Sequence, residues 1–362
     1  MSWSLPLGRV AGIRVQVHAT FLLLLAWIGV LHWRAEGTLA AVALGLGFIL
    51  AVFGCVVLHE FGHALAARRY GIATRDITLL PIGGLARLER MPGDPRQELV
   101  VALAGPAVNV LLAGAAFGVL QLTDSFTPLD ELTVTRGAFV ERLLVVNLWL
   151  VAFNLLPAFP MDGGRVARAL LAMRMEHARA TRIAASLGQG MALLFGLLGL
   201  LGNPFLLFIA LFVWIGAAQE AASTELKSSL AGWTVAHAMI TDFRSLDADD
   251  SLGRAVELLL AGTQQDFPVL RDGELVGVLT RAGLLEGLAR DGERAPVRAA
   301  MTHDIVVARP DEALEHALER LQRCSCRAVP VLDTGRLVGL VTMENLGEFV
   351  SVRTALASRA NA

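Results

Sequence analysis

Cysteine is scarce. The 362 residues hold three, Cys55 in an apolar stretch and Cys324 and Cys326 in a polar one, which excludes a disulfide framework and points to a reducing compartment for the last pair. No basic run or stripe occurs and the formal net charge is -2, which argues against a nucleic-acid binder. Charge of either sign is thin: 18% of residues are charged against 55% hydrophobic, too apolar a balance for an ordinary soluble protein. Arg9 and Arg14 precede the first apolar run, but no small-residue cleavage site follows it, so the N-terminus reads as a signal anchor and not as a removed peptide.

The apolarity is unevenly spread. Residues 19 to 222 are dominated by Leu, Ala, Val, Gly and Phe, whereas residues 233 to 355 carry Asp, Glu and Arg in globular alternation. The expected organisation is a polytopic α-helical membrane domain over 1–222, a linker at 223–232 and two α/β repeats at 233–290 and 296–355. Six hydrophobic segments, at about 17–33, 39–67, 99–121, 139–157, 183–201 and 204–222, are each long enough for roughly 30 Å of hydrocarbon. Arginines gather before the first segment, between the second and third (Arg68 to Arg96) and between the fourth and fifth (Arg165 to Arg182). The intervening loops, including Asp124, Asp130, Glu131 and Arg136, carry few, which sets both termini on the cytoplasmic side of a cell membrane.

Within the second segment lies His59-Glu60-Phe61-Gly62-His63. On a helix, residues four apart share a face, so both imidazoles reach one zinc ion while Glu60 stands beside the water that the ion activates. An acidic side chain at mid-bilayer costs roughly 2.5 to 3.5 kcal/mol on insertion scales, so such residues usually have a function. Counted back from Arg68, the two histidines lie roughly 8 to 14 Å below the cytoplasmic surface at helical rise. The fourth segment ends in Asn154-Leu-Leu-Pro157-Ala-Phe-Pro160-Met-Asp162-Gly163-Gly164, where two prolines and a glycine pair forbid a regular helix. Asp162 thereby reaches a depth compatible with the histidines. Between the second and third segments, Ile77 to Leu88 carries strand-like residues broken by Pro81, Gly83 and Gly84. It reads as a re-entrant β-hairpin with an open edge, or else as a surface loop.

The polar region repeats itself at a constant offset of 62. Ala238-Met239 matches Ala300-Met301, Asp249 matches Asp311, Pro268-Val269-Leu270 matches Pro330-Val331-Leu332, and Leu275-Val276-Gly277 with Thr280 matches Leu337-Val338-Gly339 with Thr342. Each repeat reads as helix, strand, tight turn, strand, helix, an α/β unit that buries its open face on its twin.

Together these motifs resemble the site-2 protease family of intramembrane zinc metalloproteases, in the branch with C-terminal tandem cystathionine-β-synthase-type (CBS) repeats. The resemblance rests on the HExxH at 59–63, the Gly83-Gly84 hairpin, Ala104-Gly105-Pro106-Ala107 with Asn109, and the Asn154 to Gly164 motif. It implies one zinc ion per chain held by His59, His63 and Asp162, with Glu60 as catalytic base and Asn154 near the scissile carbonyl. It implies as substrate the transmembrane segment of another protein in the lipid bilayer. In the CBS pair it implies either an adenine-nucleotide cleft, with Thr280, Thr342 and Asn345 as contacts, or a platform for homodimers. The family's nucleotide binders place Asp three residues after the motif Ser or Thr, where this chain has Gly283 and Asn345.

Cys55, one turn before His59, reads as a small buried hydrophobe, Asn109 and Asn147 as polar glue between helices, and Cys324-Ser-Cys326 as structural. Interhelical hydrogen bonding is the plain alternative for Asn154. Two other classes compete with the protease: a CBS-regulated transporter or channel, and a silent chaperone of the same fold. Glu60 within HExxH, with an aspartate at matching depth, speaks against both.

Overall fold

The computed structural model describes residues 3–81, 83–123, 138–323 and 327–360, and divides into two compact units, Met1–Thr224 and Glu225–Ala362. The loop carrying Asp124, Asp130, Glu131 and Arg136, and the Cys324-Ser-Cys326 segment, lie outside the described residues.

The first unit opens with two strands, β1 (Ser4–Val10) and β2 (Ile13–His18), before helices α1 (Ala19–Glu36) and α2 (Leu39–Arg69). Strands β3 (Thr74–Leu80) and β4 (Gly83–Leu88) complete a four-stranded sheet of order β1-β2-β3-β4, with β2 and β3 parallel and the other pairs antiparallel. Then come α3 (Pro95–Leu122), α4 (Phe139–Asn154), α5 (Asp162–Ala172), α6 (His177–Leu201) and α7 (Phe205–Leu230).

The segment expected to begin a helix near residue 17 is a strand as far as His18. Ile13, Val15 and Val17 are buried while Arg14 is exposed, the period-two alternation of a half-buried strand. His18 then caps α1, its side chain accepting from the amide of Thr20 at 3.3 Å. The hairpin expected at Ile77 to Leu88 is present, with Leu79 opposite Gly84 and Ile77 opposite Ala86, and β4 lies at the edge of the sheet. The sheet seats on the half of α2 that bears the HExxH: Ile13, Val15 and Ile77 pack with Phe61 and Ala64.

Among the described residues, five helices are long and apolar enough to cross a membrane: α1, α2, α3, α6 and α7. The fourth expected segment yields α4, of 16 residues, shorter than the other five. Its expected extent to Pro157 is cut back because Pro157 and Pro160 cannot donate to a helical ladder. Large apolar side chains of these helices face outward, among them Leu23, Leu200 and Phe208, each at least 70% exposed. His59, His63, Asn109 and Asn147 are instead buried.

In the second unit each repeat runs as expected, α8 (Leu252–Ala261), β6 (Phe267–Arg271), β7 (Glu274–Leu279) and α9 (Arg281–Asp291), then α10 (Leu314–Arg323), β8 (Ala328–Asp333), β9 (Arg336–Thr342) and α11 (Met343–Ala360). A short β5 (Leu246–Asp247) joins β6 in parallel. Both hairpins turn on a residue pair with positive φ, Asp272-Gly273 and Thr334-Gly335, the backbone that a two-residue connection with right-handed strand twist requires. The repeats exchange partners across their pseudo-twofold. Ile240 bridges Leu340 as Thr302 bridges Val278, and Met239 lies where a side chain at Gly339 would stand, as Met301 does at Gly277. Leu252, Phe267, Leu279 and Leu284 are fully buried, each contributing roughly 1.5 to 3 kcal/mol. Helix α7 continues to Leu230 through most of the segment read as a linker.

Candidate metal centre

Helix α2 brings His59 and His63 to one face, and their Nε2 atoms lie 3.0 Å apart. Asp162 Oδ2 lies 3.1 Å from each of them. All three side chains are buried. Asp162 gets there because residues 155–161 make a compact turn between α4 and α5, and it occupies the first turn of α5, where the helix dipole favours a carboxylate. Gly163 and Gly164 permit this turn: a Cβ at either would run into backbone atoms of Leu155, Leu156 or Ala158.

The donor set fits zinc. Two imidazole nitrogens and a carboxylate oxygen converge on one point, the composition of a three-ligand catalytic site with a fourth position open. Tetrahedral zinc with bonds near 2.0 to 2.1 Å separates its ligand atoms by about 3.3 Å, slightly more than the distances here. Space beside the ligands is kept by Gly105 of α3, where a Cβ would press on the Nε2 atoms of both histidines. Each histidine is held through its other nitrogen: His63 Nδ1 donates to the Val101 carbonyl at 2.7 Å, and His59 Nδ1 to Asn109 Oδ1 at 2.5 Å.

Glu60, next along α2, is turned toward the sheet, where its Oε2 accepts from the Ala86 amide of β4 at 3.1 Å. Gly84 makes room for it, since a Cβ there would come within 2.8 Å of Glu60 Cγ. Edge strand β4 therefore positions this carboxylate. Asn154 closes α4, eight residues before Asp162, and is not among the groups hydrogen-bonded to the three clustered side chains.

The residue models of two families match the chain: peptidase family M50 over residues 47–141 and 130–197, and the CBS domain over 235–290 and 297–351. The zinc metalloprotease MJ0392 of Methanocaldococcus jannaschii is 31% identical over 355 residues, 97% of each chain. The chain belongs to peptidase family M50. It is 31% identical to Rip3 of Mycobacterium tuberculosis, over 96% of this chain and 93% of that one. The solved site-2 protease from Methanocaldococcus jannaschii is 34% identical, covering 60% of this chain and 95% of that one, with a TM-score of 0.44. This M50 protein is thus a zinc metalloprotease and a membrane protein, with a tandem CBS pair.

Sequence reasoning took Asn109 as part of a family motif and, with Asn147, as glue between helices, and it passed over Arg168. Asn109 and Asn147 are fully buried and linked, Asn109 Nδ2 donating to Asn147 Oδ1 at 2.8 Å. Gly105 and Asn109 are four apart on α3 and so share a face, the signal that could have placed both against the clustered side chains. Arg168 of α5 is buried and bonds Glu98 of α3 at 2.8 Å through Nε, pairs with Glu220 of α7, and lies over the Phe159 ring at 5.1 Å. It braces the helix that begins with Asp162.

In the M50 chain's second unit, Thr342 lines a cavity of about 420 Å³ with Asp266, Arg327 and Glu344, and Thr280 lines a smaller one of about 250 Å³. Both hydroxyls cap helices: Thr280 Oγ1 accepts from Gly283 at 3.0 Å and Thr342 Oγ1 from Asn345 at 3.2 Å. Asn345 Oδ1 is buried without a hydrogen-bond partner.

Proposed function

We propose that the protein cleaves a peptide bond within or beside the transmembrane segment of another membrane protein, using one zinc ion held by His59, His63 and Asp162. The observation that carries this reading is the convergence of those three buried donors among apolar helices, with Glu60 one residue along the same helix. Zinc held there would supply a Lewis acid that polarises the scissile carbonyl and makes water a nucleophile near neutral pH. Glu60 is the base: it takes the proton of the attacking water and passes it to the leaving amine. Asn154, at the end of α4 before the turn that leads to Asp162, is assigned to hold the scissile carbonyl.

The substrate segment must be extended to be cut, because a helical peptide bond is shielded by its own ladder. The free side of β4, beside Glu60, offers main-chain groups for such a segment to pair with. We read α4 as a sixth span, its 16 residues supplemented by the turn that follows, with both termini cytoplasmic by the arginine distribution. The protease domain is taken as 1–222, the linker as 223–232 and the CBS repeats as 233–290 and 296–355. The cavity beside Thr342 is assigned to an adenine nucleotide and, should nucleotide fail to bind, the CBS pair serves as a homodimer platform.

The test is cleavage of a single-span model protein by purified enzyme in liposomes, with the cut mapped by mass spectrometry. Scission inside or within a few residues of the span is expected. A cut confined to the substrate's soluble domain would sink the intramembrane reading.

A further inference from the structure

We infer that Asn109 and Asn147 form a directional relay that sets the tautomer of His59, making both positioning residues of the metal centre. The inference rests on the reading that His59, His63 and Asp162 hold the metal.

A histidine that binds metal through Nε2 must carry its proton on Nδ1. For His63 the main chain enforces this, because the Val101 carbonyl at 2.7 Å from Nδ1 can only accept. For His59 the partner is a side-chain amide, which has an accepting and a donating end. Something must decide which end faces the imidazole.

The chain of hydrogen bonds answers from its far terminus. The Leu143 carbonyl, an acceptor only, lies 2.9 Å from Asn147 Nδ2, and Cys55 Sγ lies 3.4 Å from the same nitrogen. Asn147 must therefore present its oxygen to Asn109, at 2.8 Å from Asn109 Nδ2. That leaves Asn109 Oδ1 to face His59 Nδ1 at 2.5 Å. Reversing either amide would set donor against donor. Both asparagines are at most 1% exposed, so bulk solvent does not compete for these bonds. A reversed Asn109 would move the His59 proton to Nε2, the point where His63 and Asp162 also converge. Binding metal would then require expelling that proton.

The relay is testable by a double-mutant cycle on the full-length protein in detergent, with zinc affinity read by competition against a chromogenic chelator and site geometry by the visible spectrum of the cobalt-loaded form. N147L should weaken zinc binding by about tenfold or more, the scale on which partners of metal ligands act. In the N109D background the same change should cost less than about twofold or even restore affinity, because one carboxylate oxygen accepts from His59 while the other faces the Asn147 oxygen, a repulsion that leucine removes. C55A should leave affinity within about twofold, since the Leu143 carbonyl suffices to orient Asn147. Should N147L not fold, N147S is compared in the same two backgrounds. Equal losses in both backgrounds, or no loss in either, would overturn the relay while leaving the metal centre standing. A wild-type protein that binds no zinc would overturn the metal centre and the relay with it.

Discussion

Polar side chains are used differently in the two units. In the first they reach across helices: His59 to Asn109 and Asp162, Asn109 to Asn147, Arg168 to Glu98 and Glu220. In the second, half-buried hydroxyls serve their own helix, as Ser251, Thr280 and Thr342 do by capping α8, α9 and α11. Asp266, which is buried, instead accepts from the amides of Arg281 in one repeat and Arg327 in the other. The contrast follows from the surroundings. Among apolar helices facing lipid, a polar group finds partners only on other helices, so each one fixes tertiary structure. In the water-exposed unit a hydroxyl is satisfied locally, and its motif status says little about ligand binding. Substitutions should therefore do most harm at the first kind of site.

The largest effect is expected at the reacting groups. Glu60→Gln should reduce cleavage at least about thousandfold while the protein keeps its zinc, since Glu60 is bonded to Ala86 and not to the three ligands. His59→Ala should instead lose the metal. Zinc content by mass spectrometry and cleavage of a model span separate the two, and full activity in Glu60→Gln would break the mechanism.

Next comes the space around the ligands. Gly105→Ala sets a methyl against the Nε2 atoms of His59 and His63, and should lower zinc affinity by about tenfold to a hundredfold. Gly47 and Gly114, with nothing within 4 Å of an added Cβ, are the controls. Equal zinc affinity in Gly105→Ala and Gly114→Ala would remove Gly105 from the site.

These residues show how far the sequence was legible. The HExxH, the Asp162 motif, the hairpin and the offset-62 repeat were visible because each depends on spacing along the chain. The sheet's first two strands were missed because Ile13-Arg-Val-Gln-Val-His18 runs straight into an apolar helix, and the longer signal swamped the short alternation. Arg168 was missed for a different reason. Its partners, Glu98 and Glu220, are 70 and 52 residues away, and no local pattern announces a buried ion pair of that separation.

That pair supplies a third prediction. Arg168→Met leaves Glu98, 1% exposed, without its counter-charge and with one oxygen already unpartnered, and should cost about 3 to 5 kcal/mol of stability. Adding Glu98→Gln should recover a large part of the loss, because the uncharged amide no longer needs a cation. Thermal unfolding in detergent reads both variants. A double variant no more stable than Arg168→Met would mean that Arg168 matters through Glu220 or Phe159 and not through Glu98.

The smallest effect belongs to the second unit. Thr342 serves α11 whether or not a nucleotide binds, so its capping bond alone should be worth about 1 kcal/mol, and Thr342→Ala should lower the unfolding temperature of that unit modestly. A nucleotide in the cavity beside it adds a separable term, since a ligand at a hundred times its Kd stabilises by about 2.7 kcal/mol. Unfolding of the full-length protein is therefore followed with and without ATP, ADP, AMP or adenosine, in wild type, Thr342→Ala and Asn345→Ala. If Asn345 Oδ1 meets a ribose hydroxyl, Asn345→Ala should abolish the nucleotide-induced shift while leaving the unliganded midpoint nearly unchanged, because that oxygen has no partner to lose. Asn345 does not itself line the cavity beside Thr342, and a shift that survives Asn345→Ala would keep it out of the nucleotide contacts. No shift with any of the four compounds would leave the CBS pair as an assembly platform. Sedimentation of the purified protein would then be expected to show a dimer.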